Sequence, residues 1–274
     1  MKSIAVYNVK GGVSKTASSV NLAYYAARSG ARVLLWDFDP QGAATYYLGA
    51  SPAEHGGTKN LLPENGSLHG MIETTDYPNL DLFSASFSLI RNDFVLGSPH
   101  DPGHRFQHVL AALPDVYDYV IIDCAPGISL IAESVFQSVD RLLVPVVPTT
   151  LSVLALDQLL DFLATRDEFN VPLMSFFTLV DWRKTLHRDL VLEQRADKES
   201  FLMTVIPSAT EVERMGVHRA PIGEFAGKSR AALAFEELWR EISESMTEGK
   251  ATAPIATAYA AYQDSQESQD SASH

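Results

Sequence analysis

Short runs of apolar residues recur along the chain, and each has the length and composition of a buried strand. Six such runs cover residues 3–8, 31–37, 119–123, 141–147, 174–180 and 202–206. Near-continuous apolar runs are typical of parallel strands whose two faces are both covered by helices. A seventh strand is predicted over residues 79–84, inside a Gly-, Pro- and Ser-rich segment, 49–101, that shows no other clear pattern.

Segments with helical periodicity alternate with these runs. They cover residues 14–28, 151–166, 184–198 and 229–246, and Gly30 supplies a helix-stop signal after the first of them. Strands that alternate with helices predict an α/β fold. We therefore expect a single doubly wound, mostly parallel twisted sheet that is flanked by helices.

The composition narrows the class of protein. The 274 residues are 46% apolar and 20% charged, as in an ordinary globular protein. A single cysteine, Cys124, excludes an intrachain disulfide and a four-cysteine zinc site. No apolar run reaches the roughly 18 residues of a membrane span, and the first apolar run is too short for a signal peptide. We expect a cytoplasmic protein.

The end of the chain differs in composition from the rest. Residues 247–274 are dominated by Ala, Ser, Gln and acidic side chains, with Lys250 as the one basic residue. Such a segment buries too little apolar area to offset its chain entropy. The predicted organisation is one domain over residues 1–246, followed by a disordered acidic tail over 247–274.

One loop carries the strongest chemical signal. It follows the first predicted strand and opens the first predicted helix, and it reads Lys10-Gly11-Gly12-Val13-Ser14-Lys15-Thr16. Glycines let backbone N–H groups approach phosphate oxygens, and the helix N-terminus adds partial positive charge. A lysine and a hydroxyl at this position suit phosphate and Mg²⁺. The alternative is an ordinary glycine-containing turn with two solvated lysines.

The loop departs from the ordinary G-x-x-x-x-G-K-[ST] pattern, because Val9 and Ser14 stand where that pattern has its two glycines. It has instead an extra lysine, Lys10, at its start. It resembles the deviant Walker motif KGGxGK[TS] of the ParA/MinD family of P-loop ATPases. Three later segments resemble that family in order and spacing over residues 1–246. They are Asp37-Phe38-Asp39-Pro40-Gln41-Gly42, the apolar run that ends at Asp123, and Val205-Ile206-Pro207.

The resemblance implies a P-loop fold, ATP and Mg²⁺ as cofactors, and roles for individual residues. Phosphate binding falls to the loop and the start of its helix, which are Gly11, Gly12, Val13, Ser14, Lys15, Thr16 and Ala17. Metal binding falls to Thr16, Asp39 and Asp123, with Asp37 in support and Pro207 near the adenine. The implied catalytic residues are Lys10, Lys15 and Asp39, where Asp39 positions the attacking water. Lys10 would reach the partner's phosphates in an ATP-sandwiched homodimer.

Two loop residues depart from the family pattern. Ser14 replaces the usual Gly, and Ala17 replaces the usual Thr or Ser. Neither change removes the lysines or the Thr16 hydroxyl. We therefore expect ATP binding with slow hydrolysis.

The distribution of charged residues along the chain bears on which branch of the family it resembles. The chain carries 21 basic and 34 acidic residues, a net charge of −13, which excludes a uniformly basic surface. Residues 181–230 nevertheless hold nine basic and eight acidic side chains, a net +1, whereas the other 224 residues carry 12 basic and 26 acidic ones, a net −14. Candidate DNA contacts in this window are Arg183, Lys184, Arg188, Arg214, Arg219, Lys228 and Arg230. Solvated helix faces with local ion pairs are the alternative interpretation.

These observations favour a ParA-like ATPase that dimerises on ATP and binds nonspecific DNA, in the cytoplasm at the nucleoid. It would position or segregate a plasmid, a chromosome or a protein body such as a carboxysome. A ParB-like or carboxysome-adaptor partner would stimulate its slow hydrolysis. The acidic C-terminus counts against a membrane-cycling, MinD-like ATPase, which is one alternative. A metabolic P-loop enzyme that uses ATP is another.

Overall fold

The computed structural model describes residues 1–51, 72–85, 102–166, 169, 171–197 and 200–247. Eight strands in these ranges form one sheet. They are β1 (Lys2–Val6), β2 (Val33–Phe38), β3 (Ile72–Thr74), β4 (Leu80–Phe83), β5 (Tyr119–Cys124), β6 (Arg141–Val146), β7 (Leu173–Val180) and β8 (Phe201–Pro207). Their order across the sheet is β3-β4-β2-β5-β1-β6-β7-β8. Neighbouring strands are parallel except for β3, which runs antiparallel to β4 at one edge.

Nine helices lie within the described ranges. They are α1 (Lys15–Arg28), α2 (Ala43–Tyr47), α3 (Pro102–Ala111), α4 (Leu130–Phe136), α5 (Thr150–Ala164), α6 (Thr185–Asp197), α7 (Thr210–His218), α8 (Ile222–Ala226) and α9 (Arg230–Thr247). In the same part of the chain, no helix combines the length and the apolar character that a membrane crossing requires.

Two hydrophobic clusters cover the two faces of the sheet. Alternate residues of β1 and of the position after it divide between them: Ile4 and Val6 join a cluster with α1 and α9, whereas Ala5 and the following Tyr7 join one with α3, α4 and α5. This alternation is the period-2 geometry of a strand that is buried on both sides. The clusters hold the central strands rigidly, so the ends of those strands are fixed in space.

The chain order creates a crevice at the carboxyl ends of the central strands. After β1 the chain passes through α1 to β2, and β5 lies between these two strands. On its other side β1 pairs with β6. The strand order reverses at such a point, because the connections on its two sides run in opposite directions across the sheet. The resulting crevice at the carboxyl ends of the strands is where open α/β sheets bind their ligands.

The predicted doubly wound, mostly parallel sheet is confirmed. All seven predicted strands are present, and the four predicted helices match α1, α5, α6 and α9 to within two residues at either end. The sequence did not indicate β3 or the helices α2, α3, α4, α7 and α8. Of the tail predicted over residues 247–274, only Thr247 is described, and it ends α9, so the rest lies outside the described residues.

Candidate functional site

The loop between β1 and α1 is anchored by the side chain of Asn8. Its Nδ2 donates to the carbonyl oxygen of Pro145 at 2.8 Å, and its Oδ1 accepts the Lys10 backbone N–H at 2.9 Å. Gly12 has a φ of 74°, which favours glycine. Apart from each glycine and its two chain neighbours, no atom of the described residues lies within 4 Å of the position that a Cβ would take at Gly11 or Gly12. The space beside these two glycines is therefore open.

Lys15 begins α1 and points back into this loop. The side chain is 7% exposed, and its Nζ donates to the carbonyl oxygen of Lys10 at 2.8 Å. Burial lowers the pKa of Lys15, and the nearby carboxylates of Asp123 and Asp39 oppose that change. An ammonium group has three N–H donors, so two remain for anionic oxygens. The arrangement at this helix N-terminus suits an anion.

Asp123 lies beside Lys15 at the end of β5 and is fully buried. Ser19, one turn into α1, donates to its Oδ1 at 2.9 Å, whereas Oδ2 has no hydrogen-bond partner among the described residues. Burial, and then the charge of Asp37, raise the pKa of Asp123 to about 7, while the hydroxyls of Thr16 and Ser19 oppose the rise. A buried carboxylate oxygen without a partner suits a bound cation or one of its water ligands.

Asp37 is the direct register partner of Asp123 on the neighbouring strand β2. Its carboxylate is already used: Oδ2 accepts the backbone N–H and the hydroxyl of Thr45, both at 2.7 Å, and Oδ1 accepts the Asp39 N–H at 3.3 Å. Burial raises the pKa of Asp37 to about 6, against the effect of these hydrogen bonds. Asp37 therefore fixes the following loop and α2.

Asp39 occupies a different environment from Asp37. It is half-buried in the loop after β2, and its Oδ1 accepts the Gln41 N–H at 2.9 Å. The other oxygen leaves capacity for a water or a metal-bound water. Within the described residues, no group of three or more His, Cys, Asp and Glu side chains is placed to hold a metal. The acceptors here suit Mg²⁺, which keeps several waters and takes few protein ligands.

A cavity of about 480 Å³ opens beyond the ends of β7 and β8. Its walls are three segments, residues 180–183, 207–211 and 229–231, and Pro207 is one of the residues that line it. Trp182 lies on its wall and is 47% exposed. The loop after β7 is held by Arg183, whose Nε and Nη2 donate to the two carboxylate oxygens of Asp181, each at 2.9 Å.

The predicted DNA-contacting side chains lie in several environments. Arg183 and Arg230 line the cavity, and Lys184, Arg188 and Lys228 are exposed. Arg214 lies 3.0 Å from the His218 ring nitrogen on the same helix.

Arg219 joins two elements that are distant in sequence. Its Nη2 donates to the Ala50 carbonyl at 2.9 Å, its Nε donates to the Tyr46 carbonyl at 3.3 Å, and its guanidinium lies 4.6 Å from the Tyr46 ring centroid. These contacts tie the end of α7 to the end of α2, a structural role that the sequence did not indicate.

Sequence reasoning missed four residues that position the site, namely Asn8, Ser19, Thr45 and Thr178. Ser19 carried a weak signal, because it lies four residues after Lys15 and so on the same face of α1. The other three each have a partner at least 40 residues away, which the sequence does not reveal. Thr178, for example, bonds the hydroxyl of Ser14 at 2.7 Å across 164 residues.

Comparison with known proteins agrees with this geometry. The AAA_31 family model, described as an AAA domain, matches residues 1–173. The sporulation initiation inhibitor protein Soj of Bacillus subtilis (strain 168) is 32% identical over 248 residues, which cover 88% of this chain and 98% of that protein. The chromosome-partitioning ATPase Soj of Treponema pallidum (strain Nichols) is 28% identical over 246 residues, which cover 88% of this chain and 96% of that protein.

A solved structure extends the likeness to three dimensions. Cobyrinic acid a,c-diamide synthase from Mycobacterium smegmatis, with bound ADP and magnesium, has a TM-score of 0.75 and 26% identity. The match covers 93% of this chain and 98% of that one. The family model spans more than half of the chain, and the Bacillus subtilis relative is similar over nearly its whole length. The chain therefore belongs to the ParA/MinD family of P-loop ATPases, within the AAA domain family.

Proposed function

We propose that this protein is a Mg²⁺-dependent ATPase of the partitioning type, which binds ATP on the loop before α1. The observation that carries the proposal is the juxtaposition of the buried Lys15 ammonium, the open space beside the loop glycines and the Oδ2 of Asp123, which has no hydrogen-bond partner in the described part of the chain. The relatives named for partitioning, and the neighbour that holds ADP and magnesium, support it.

Phosphoryl transfer depends on positioning and on charge neutralisation. Lys15 donates to the phosphate oxygens together with the backbone N–H groups of residues 11–17. The Thr16 hydroxyl and Asp123 Oδ2 would hold Mg²⁺ or its water ligands. Asp39 accepts a hydrogen bond from the attacking water and orients it. Mg²⁺, when bound, neutralises negative charge on the phosphates.

The cavity beside Pro207 is placed to take the base and ribose. It lies at the same carboxyl edge of the sheet as the loop, and about 480 Å³ is within the range of small-ligand sites. Trp182 and Pro207 offer apolar surface to a planar ring, while Arg183 and Arg230 supply charge at the walls.

Exposed apolar side chains that follow the central strands support dimerisation around the nucleotide. Ile128, Leu130, Leu151 and Leu154 are 47%, 57%, 66% and 50% exposed, and they follow the carboxyl ends of the central strands β5 and β6. Apolar side chains gathered beside a site mark an interaction surface. A second copy would cover them, and its Lys10 would donate to the phosphates bound by the first copy, as an arginine finger does.

We further propose that the protein binds DNA without sequence preference. The uneven charge, +1 within residues 181–230 and −14 elsewhere, leaves one region able to approach a phosphate backbone. Lys184, Arg188, Arg214 and Lys228 are exposed there. In this proposal the ATP-bound dimer holds DNA at the nucleoid in the cytoplasm. It positions a plasmid, a chromosome or a protein body with an adaptor protein of the ParB or carboxysome type.

A DNA retention assay tests this function. Wild-type protein with ATP and Mg²⁺ is expected to retain nonspecific duplex at low salt, with affinity that falls steeply as salt rises, and to lose it with ADP. Arg214→Glu is expected to weaken retention while ATP binding stays intact. Arg32→Glu is the matched control, because Arg32 is exposed outside the basic window. Lys10→Ala is expected to abolish ATP-dependent dimerisation. No retention by the wild type at low salt would exclude the DNA branch.

A metabolic P-loop enzyme is the second candidate. The neighbour with a TM-score of 0.75 is itself a synthase, so the fold accommodates small-molecule chemistry. ATP turnover that depends on a metabolite, and is indifferent to DNA and to a partner protein, would favour that function.

A further inference from the structure

Two non-glycine residues close to one hydrogen bond adopt left-handed backbone conformations. Ser14 has a φ of 58°, and Leu179 has a φ of 53°. In this region the Cβ crowds the backbone, so residues other than Gly, Asn and Asp avoid it. A bulky residue such as Leu adopts it only where the surrounding structure imposes it, and such strain concentrates at functional sites.

A hydrogen bond links Ser14 to the residue that precedes Leu179. The hydroxyls of Ser14 and Thr178 lie 2.7 Å apart, and Thr178 is fully buried immediately before Leu179. The pairing of β7 with β8 is irregular between Phe177 and Val180, so the strand carries a bulge there. Bulges next to sites redirect the side chains that follow them. Here the residues that follow, 180–183, form a wall of the cavity.

We infer that the hydroxyl bond between Ser14 and Thr178 is a positioning device that fixes the phosphate-binding loop relative to the wall of the base cavity. Through this bond, the bulge in β7 and the left-handed turn at Ser14 hold each other in place. Ser14 and Thr178 are positioning residues, because they act through the loop and the cavity wall. The inference rests on the proposed nucleotide binding and adds the residues that align the phosphate-binding loop with the base cavity.

Serine therefore has a structural role at a loop position where glycine would be free of strain. Glycine accepts a positive φ without cost but also leaves it easily, because it has many other conformations. Serine pays a steric cost at φ 58° and gains a partner across the crevice. The result is a loop whose shape depends on β7, so that phosphate binding and base binding are linked.

Four variants and one control test the linkage. Ser14→Ala and Thr178→Val each remove one hydroxyl of the pair, and their double variant removes both. Thr178→Ser keeps the hydroxyl. Ser175→Ala is the matched control, because Ser175 is buried on the same strand and its hydroxyl has no hydrogen-bond partner among the described residues. Each protein is tested with ADP in the absence of Mg²⁺, and by amide hydrogen exchange without nucleotide.

The expected result is a non-additive loss. Each single variant raises the Kd for ADP about tenfold, and the double variant raises it by the same factor, because one shared bond is lost. Thr178→Ser and Ser175→Ala stay within about twofold of wild type. In the nucleotide-free protein, amides of residues 180–183 exchange faster in Ser14→Ala, although residue 14 is distant in sequence.

Two results would overturn the inference. One is wild-type ADP affinity in Thr178→Val together with unchanged exchange at residues 180–183. The other is additive losses in the double variant. If the wild-type protein itself fails to bind ADP, the proposed function fails, and the exchange experiment still decides whether Ser14 holds the cavity wall.

Discussion

The hydroxyl of Thr45 is expected to contribute strongly to stability, because it connects a buried carboxylate to a distant strand end. It donates to Asp37 Oδ2 at 2.7 Å and accepts the Ala85 backbone N–H at 2.9 Å. The exposed fractions of Thr45, Asp37 and Ala85 are 0%, 1% and 2%, so water does not replace either partner. Thr45→Val keeps the shape of the side chain and removes both bonds.

The expected loss of stability comes from two lost hydrogen bonds, one of which leaves the Ala85 N–H without its partner. A hydrogen bond to a charged group contributes about 1.5–3 kcal/mol, and an unpaired buried N–H costs about 1–3 kcal/mol. The Thr45 backbone N–H still donates to Asp37, which limits the loss. We expect Thr45→Val to lower the free energy of unfolding by about 3 kcal/mol. For a domain of this size that corresponds to a fall in Tm of roughly 6–12 °C.

Urea unfolding followed by circular dichroism measures this loss. Thr45→Ser keeps the hydroxyl and is expected to lose about 1 kcal/mol for the missing methyl group. Thr150→Val is a surface control, because Thr150 is exposed at the start of α5, and it is expected to change stability by less than about 0.5 kcal/mol. Equal stabilities of Thr45→Val and Thr45→Ser would refute the reasoning.

Three further predictions concern packing, pH and the sheet edge. Gly223→Ala places a Cβ 2.3 Å from the buried Tyr24 ring and is expected to cost about 2 kcal/mol in urea unfolding. The Nδ1 of His187 accepts the Asp181 N–H at 3.1 Å. Burial and then the positive charge of Lys184 lower the pKa of His187, while the charge of Asp181 opposes that change. The protein should therefore lose stability as the pH drops through about 6.5, which NMR titration and thermal melting measure. Glu241→Ala frees two edge N–H groups of β8 and is expected to promote self-association, measured by analytical ultracentrifugation.

Each of these predictions has a control or a contrary outcome. Gly216→Ala is the control for Gly223→Ala, because its nearest atom would lie at 3.6 Å, and it is expected to stabilise α7 by about 0.5–1 kcal/mol. A His187 pKa at or above that of a free histidine would contradict the second prediction. Glu244→Ala removes an exposed carboxylate from the same helix and should leave the protein as dispersed as wild type. Equal association of both variants would exclude the role of Glu241.

Local patterns in the sequence determined the main architecture and the chemistry of the loop. Apolar runs predicted the seven principal strands because strands buried on both faces need apolar residues at every position. The loop from Lys10 to Thr16 was recognisable because its glycines, lysines and hydroxyl act within a few residues of one another. Strand β3 was missed because it has three residues, of which two are exposed and one is half-buried. The short helices α2 and α8 have five residues each, too few for a periodic pattern.

Only the tertiary structure decided how the charged and polar side chains are used. Asp37 and Asp123 are strand-end carboxylates of similar appearance in the sequence, yet Asp37 is occupied by Thr45 while one oxygen of Asp123 has no partner among the described residues. Arg219 belongs to the basic window, but the fold uses it to hold α2. Ser14 departs from the family pattern, and its partner lies on β7. A side chain's role depends on which distant groups share its buried surroundings, and those neighbours are set by the packing of strands far apart in the chain.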